Sequence, residues 1–166
     1  MSRAWIFALV FSYLPLFGCS STPEKEPPPP PTRIDLQVEA GADVNPDSNG
    51  QGAPLQLRIY ELKGVAAFNA ADFFAIYDKD QATLGADLVS KKELILKPGE
   101  TKSLMLDAES ATQAVGFVAA YRKLDDAIWR ASVPVAEHQT ITVRVTVKAN
   151  QLAVEQKPAP TPAPAK

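Results

Sequence analysis

The sequence holds a single cysteine and a single histidine in 166 residues. One thiol cannot form an intramolecular disulfide, so any fold must stand on its apolar core even in an oxidising compartment. One histidine without a second cysteine excludes the usual zinc ligand sets. Excess charge of either sign is lacking too: 17 basic and 19 acidic side chains leave a formal net charge of −2. That balance excludes nucleic-acid binding through a phosphate-neutralising surface. Long apolar runs are also missing. The stretch Ala4 to Leu16 is interrupted by Ser12 and Pro15 and falls short of the roughly 20 helical residues that a hydrocarbon core requires. No Gly-x-Ser-x-Gly elbow is present, which removes a familiar signature of serine hydrolases.

What is present begins at the N-terminus. Arg3 supplies a positive charge, the apolar stretch follows, and the small residue Gly18 directly precedes Cys19. That order predicts a secretory signal peptide over residues 1–18. Leu16-Phe17-Gly18-Cys19 resembles a bacterial lipobox, in which the cysteine is acylated and becomes the first residue of the mature protein. A single acyl chain binds a membrane marginally, at about 0.8 kcal/mol per buried methylene, so durable anchoring takes two or more. Ser20 follows the cysteine where many inner-membrane lipoproteins carry aspartate. The resemblance therefore implies the outer membrane, on its periplasmic face.

Composition divides the rest of the chain. Residues 19–32 combine the acylated cysteine with a proline-rich spacer that includes Pro23 and the run Pro27 to Pro31. Such a run favours polyproline II at roughly 3.1 Å per residue and holds a domain off a surface. Residues 156–166 form a second Pro/Ala-rich tail, too poor in buriable surface to order itself. Residues 33–155 between them suit one domain with a single core.

Within that domain the pattern is mostly period two. Ile34, Leu36 and Val38 alternate with polar residues, as do Leu55, Leu57 and Ile59, and later Ile141, Val143, Val145 and Val147. Alternation with β-branched content predicts half-buried strands. Leu94–Leu96, Ser103–Leu106, Val115–Tyr121 and Trp129–Val135 supply four more candidates, and Lys97-Pro98-Gly99-Glu100 is a turn signal between two of them. Pro134 cannot donate to a ladder, so its strand belongs at an edge or ends there. Seven short strands predict a mainly β protein, a two-sheet β-sandwich. One segment departs from the pattern. Asn69 can cap a helix through Ala70–Tyr77 with Asp72 three residues on, and Phe73, Ile76 and Tyr77 then share a face. Gly85 closes a further short turn. A short helical insertion is thus expected after the second strand.

Few residues offer chemistry. His138 sits in a polar, loop-like setting and reads as a surface histidine. Asp78 with Asp80, and Asp125 with Asp126, could serve acid/base work but read as turn residues. Asn45-x-Asp47-x-Asn49-Gly50 resembles the start of a calcium loop. Pro46 and the uncharged Asn45 argue against it, and Gln56 at the twelfth position cannot supply a bidentate carboxylate. The plainer reading is a long polar loop of the kind that binds partners. Tyr121-Arg122 and Trp129-Arg130 could form cation–π or carbohydrate-stacking pairs. Strand alternation explains them with the ring inside and the arginine in solvent. No catalytic residue, metal site or cofactor is expected.

An ordered series of segments carries a family resemblance. It runs through Asn45-Pro46-Asp47, Pro54–Lys63, Phe68, Ala71–Phe74, Tyr77, Asp80 and Leu84–Leu88. It continues with Glu93, Leu96–Glu100, Gly116–Arg122, Leu124, Ala127 and Trp129-Arg130. Downstream of a lipobox, this series resembles the TssJ family, the outer-membrane lipoprotein of the type VI secretion system, from about Arg33 to Val147. The resemblance implies a transthyretin-like sandwich with an added helical piece and a protruding loop. It also implies a partner, the periplasmic C-terminal region of the inner-membrane protein TssM. The loop that takes part in that contact corresponds to Gly41–Ala53, and the partner-binding residues are then Asn45, Pro46, Asp47, Ser48, Asn49, Gly50, Gln51 and Gly52. No nucleic acid and no small-molecule substrate is expected. A second reading is a periplasmic lipoprotein that captures glycan or calcium through Trp129, Tyr121 or the Asn45 loop. A third, an envelope hydrolase using His138, lacks any recognisable constellation.

Overall fold

The computed structural model describes residues 29–157. The signal peptide 1–18, Cys19 and most of the spacer lie outside the described residues, as do residues 158–166 of the tail.

The elements run β1 (Arg33–Ala40), β2 (Leu55–Leu62), α1 (Ala66–Ala70), α2 (Phe73–Leu84) and a 3-10 turn (Gly85–Asp87). They continue β3 (Leu88–Leu96), β4 (Thr101–Asp107), β5 (Ala114–Ala119), β6 (Arg130–Pro134), β7 (Thr140–Lys148) and β8 (Gln151–Lys157). The strands form two four-stranded sheets, ordered β4-β1-β7-β8 and β3-β2-β5-β6. All neighbours are antiparallel except β1 and β7, which run parallel with Leu36 opposite Val143 and Val38 opposite Val145. This is the expected two-sheet sandwich, mainly β.

Alternation sets the core. Ile34, Leu36 and Val38 of β1 are fully buried, as are Val143, Val145 and Val147 of β7 and Leu55 and Leu57 of β2. Their polar neighbours face out, so each strand buries one face at roughly 25 cal/mol per Å² of apolar surface removed from water. β5 behaves differently, because all six of its residues are buried. A second apolar cluster explains this. Tyr60, Leu62, Ala114 and Val118 on the outer face of the second sheet pack against Phe68, Phe73, Ile76 and Leu84 of the two helices. A strand covered on both sides reads as an unbroken apolar run. Gly116 permits the cover to approach, since a Cβ there would lie 2.6 Å from the Phe68 ring.

Three expectations are corrected. The insertion holds two helices, and Asn69 lies inside the first. Asp72 is the cap of the second, its carboxylate accepting from the Ala75 amide at 2.8 Å. Aspartate with extended backbone directly before the apolar face outcompetes an asparagine three residues earlier. The pair Asp78 and Asp80 lies within α2, flanking a kink at Lys79 (φ −137°, ψ 37°), not in a turn. The Ala75 carbonyl, four residues before that kink, accepts from the Thr83 hydroxyl at 2.7 Å. Last, an eighth strand pairs with β7 and carries the sheet to Lys157, two residues into the stretch assigned to the tail. Only Leu152 of β8 is buried, so the strand has almost no apolar alternation to betray it.

Pro134 ends β6, which is also an edge strand. Gly99, at φ 75°, makes the turn from β3 into β4 while the Glu100 amide donates to the Lys97 carbonyl. That turn carries the chain from one sheet to the other.

Candidate functional site: one pole of the sandwich

β1 separates two ends of the molecule. Its first residue receives the chain from the proline spacer, and its last leads into the loop before β2. The seven steps between the first and last of its eight residues, at roughly 3.3 Å each, place these points about 23 Å apart. At the entry pole the spacer is held by named bonds. The Ala108 amide donates to the Thr32 carbonyl at 3.0 Å, and the His138 amide donates to the Thr32 hydroxyl at 2.8 Å. His138, at φ 59°, lies with a ring nitrogen 3.0 Å from the Pro30 carbonyl. It is an exposed residue bonded to backbone, as a surface histidine should be.

At the opposite pole the loop is built in two storeys. The base is rigid. Asn45 is 4% exposed and takes a left-handed backbone at φ 49°, a conformation asparagine tolerates better than most residues. Its amide donates to the Ala149 carbonyl, its side-chain nitrogen to the Pro54 carbonyl, and its side-chain oxygen accepts from the Arg122 amide at 2.9 Å. Val44 and Ala53 are buried beside it and joined by a backbone bond. Gly52 is needed where it stands, because a Cβ would fall 2.2 Å from the Ala42 carbonyl oxygen.

The tip is a compact turn wound around one carboxylate. Asp47 Oδ1 accepts from the amides of Asn49 and Gln51 at 2.8 and 2.9 Å. The Asp47 amide donates in return to the Gln51 carbonyl, and Gly50 closes the turn at φ 79°. Ser48, Asn49, Gly50 and Gln51 are exposed, while Pro46, Asp47 and Gly52 are half-buried. The eight residues singled out in the sequence therefore divide. Four form an accessible tip, and Asn45 is a strut whose polar atoms are already engaged. The oxygens that suggested a calcium loop are spent on backbone: the Asn45 oxygen and one Asp47 oxygen hold the loop's own shape.

Two further segments flank the loop, and neither belongs to the partner-binding residues expected from the sequence. The β7–β8 turn at Ala149-Asn150 holds the Asn45 amide, and within the β5–β6 connection the Arg122 amide donates to the Asn45 side chain. Tyr121 sits beneath, 4% exposed, its hydroxyl without a hydrogen-bond partner. Burial, with a contribution from the Asp43 charge, pushes that phenol up. Tyr121 is thus inside and Arg122 outside, as alternation requires. Trp129 and Arg130 do not follow suit. Both are half-buried. The Arg130 guanidinium lies 4.7 Å from the Trp129 ring centre and donates to the carbonyls of Phe68 and Ala71 at 2.7 Å. It closes the end of α1 and fastens the helical cover to β6.

The remaining candidates serve the fold. Asp80 pairs with Lys91 at 2.7 Å. Burial pushes the Asp80 carboxyl up, but the Lys91 ammonium and the Gln81 amide outweigh it and hold the group below its usual range. Asp125 and Asp126 lie exposed in the turn before β6. Among the described residues no three His, Cys, Asp or Glu side chains gather as a metal site would require, and no helix is long and apolar enough to cross a membrane.

The geometry agrees with what the chain resembles. Residues 32–150 match the T6SS-SciN family, described as type VI secretion lipoprotein, VasD, EvfM, TssJ, VC_A0113. Among solved structures, the T6SS lipoprotein TssJ1 of Pseudomonas aeruginosa is similar at 44% identity and TM-score 0.76, over 79% of this chain and 100% of that one. Serratia marcescens Lip, a membrane-bound component of the type VI secretion system, is similar at 27% identity and TM-score 0.70, over 75% and 98%. A chain in the structure of the TssM C-terminal domain (869–1107) from EAEC shares the fold at 20% identity and TM-score 0.63, over 75% and 98%. No curated protein matches the chain.

Proposed function

Because the chain belongs to the type VI secretion lipoprotein family that includes TssJ, we propose that it tethers the secretion machine's membrane complex to the outer membrane as a non-enzymatic adaptor. Acyl chains on Cys19 hold the membrane at its periplasmic face, after removal of residues 1–18. The proline spacer presents the sandwich. The exposed tip Ser48–Gln51, at the far pole, docks the periplasmic C-terminal region of TssM.

The observation that carries this reading is the two-storey loop. A tip held by four bonds on a buried base loses little conformational freedom on binding, which lowers the cost of association. The pole-to-pole layout supports it as well, since the length of β1, about 23 Å, separates the point where the tether enters from the start of the loop.

The test removes the tip alone. Replacing Ser48–Gln51 by a two-residue turn should weaken binding to the TssM periplasmic region at least about tenfold. The melting temperature should stay within a few degrees, because Val44, Asn45 and Ala53 of the base are untouched. Unchanged affinity would sink the loop assignment.

A further inference from the structure

The chain holds four asparagines, Asn45, Asn49, Asn69 and Asn150, and the fold places them in different chemical settings. Asparagine is a thermolabile residue. Its side-chain amide is lost when the main-chain nitrogen of the next residue attacks the side-chain carbonyl, which takes a free side chain, open space and an unhindered nitrogen. Asn45 meets none of these conditions. It is 4% exposed, its side-chain nitrogen and oxygen are both bonded, and Pro46 has no N–H to give up. Asn150 donates its side-chain nitrogen to the Asp126 carbonyl at 2.8 Å, and the next residue, Gln151, pairs with Lys148 in the β7–β8 hairpin. Asn69 is exposed but lies within α1, and Ala70 sets a methyl group beside its own nitrogen.

Asn49 differs on every count. It is exposed at the tip of the loop, and among the described residues nothing bonds its side-chain amide. Gly50 follows it without a Cβ, and, its chain neighbours apart, no heavy atom lies within 4 Å of where one would stand. The Gly50 nitrogen donates to the Asp47 carbonyl at 3.1 Å, the longest hydrogen bond in the tip. That bond is the one that yields at least cost. The attacking and attacked groups are thus held in one turn with water around both, and enforced proximity of this kind lowers a barrier.

We propose that Asn49 is a site of spontaneous covalent modification, its side-chain amide converting to a carboxylate through a cyclic imide formed with Gly50. Hydroxide removes the Gly50 amide proton, the nitrogen attacks the Asn49 Cγ, a C–N bond forms, and the side-chain nitrogen leaves as ammonia. Water then opens the imide at one of its two carbonyls. Opening at the side-chain carbonyl gives aspartate. Opening at the main-chain carbonyl gives isoaspartate, in which the chain runs through the former side chain. One water is consumed and one ammonia released, so the step uses no oxidant, reductant or metal. Either product sets a second carboxylate beside Asp47, whose Oδ1 holds the amides of residues 49 and 51. Isoaspartate also adds one carbon to the main chain between those two amides. They then no longer converge on one oxygen, and the turn opens. This chemistry is independent of whether the tip docks a partner.

The experiment incubates the full lipoprotein in detergent, folded and in urea, at neutral and at alkaline pH. Peptides are then mapped by mass spectrometry, with fragmentation that separates aspartate from isoaspartate. In the folded protein the loss should be at least about tenfold faster at Asn49 than at Asn45, Asn69 or Asn150, which takes a barrier lower by about 1.4 kcal/mol. Its rate should rise with pH, as a step begun by hydroxide must, and both products should form. Asn49→Gln should remove the event from the tip. Gly50→Ala, compared in urea so that its strain at φ 79° plays no part, should slow the loss severalfold because a methyl group crowds the attacking nitrogen. An Asn49 amide that stays intact in the folded protein at alkaline pH overturns the proposal, as does equal loss at Asn69 or Asn150. Aspartate without isoaspartate, or an unchanged rate in Gly50→Ala, would mean direct hydrolysis and would overturn it as well.

Discussion

Replacing Asn45 with alanine should damage the fold, although the residue lies in a loop. Two side-chain bonds disappear, to Pro54 and from Arg122. Each is worth about 1 kcal/mol net, and the two backbone groups left behind are shielded from water. The residue also holds a left-handed backbone at φ 49°, which costs alanine roughly 1 kcal/mol. The total comes to about 3 kcal/mol. For a domain of this size that lowers the melting temperature by about 10 °C. Glycine at the same place should be milder, because it accepts the backbone without strain, although its freer unfolded chain takes back part of the gain. Urea unfolding of the unlipidated chain, followed by tryptophan fluorescence, measures both variants. A loss below about 1 kcal/mol for Asn45→Ala would refute the view of this residue as the strut that shapes the loop.

Other expectations follow from single contacts. Gly116→Ala should destabilise by about 1–3 kcal/mol, because the new methyl collides with the Phe68 ring and lifts the helical cover; a neutral result in the same urea assay would contradict the close approach. The Asp80 carboxyl is held below its ordinary value of 3.8. Its contribution is present above that value and disappears as pH falls through the lowered folded value. Asp80→Asn should therefore flatten the stability profile below about pH 4, and an identical acid limb in both proteins would count against the pair. Cys19→Ser should move the protein from the outer-membrane fraction to the soluble periplasm while leaving its fold intact, and retention in the membrane fraction would rule out the acyl anchor.

The strands that bury one face were plain in the sequence, because alternation and burial report the same thing. Ile34, Leu36 and Val38 face the core as their spacing requires. β8 was missed for the opposite reason: its pairing is made by backbone and by the hairpin turn at Ala149-Asn150, with one buried side chain to mark it. The helix start was misplaced because Asn69 and Asp72 are both competent caps, and only packing of Phe73 against Trp129 decides between them. In the loop before β2, length and composition marked a segment that the structure divides into an exposed tip and a buried base. They could not separate the tip from the strut, since Asn45 and Asn49 look alike until tertiary partners 77 residues away engage one of them. The role of Arg130 was hidden likewise, because the helical carbonyls it holds lie about 60 residues earlier in the chain.

The most direct measurement is hydrogen exchange on the lipoprotein with and without the TssM periplasmic region. The account predicts new protection at the loop pole, in Val44–Gly52 and the adjoining residues 122–128 and 149–150. Protection falling at the entry pole instead, around Thr32, Ala108 and His138, would contradict it.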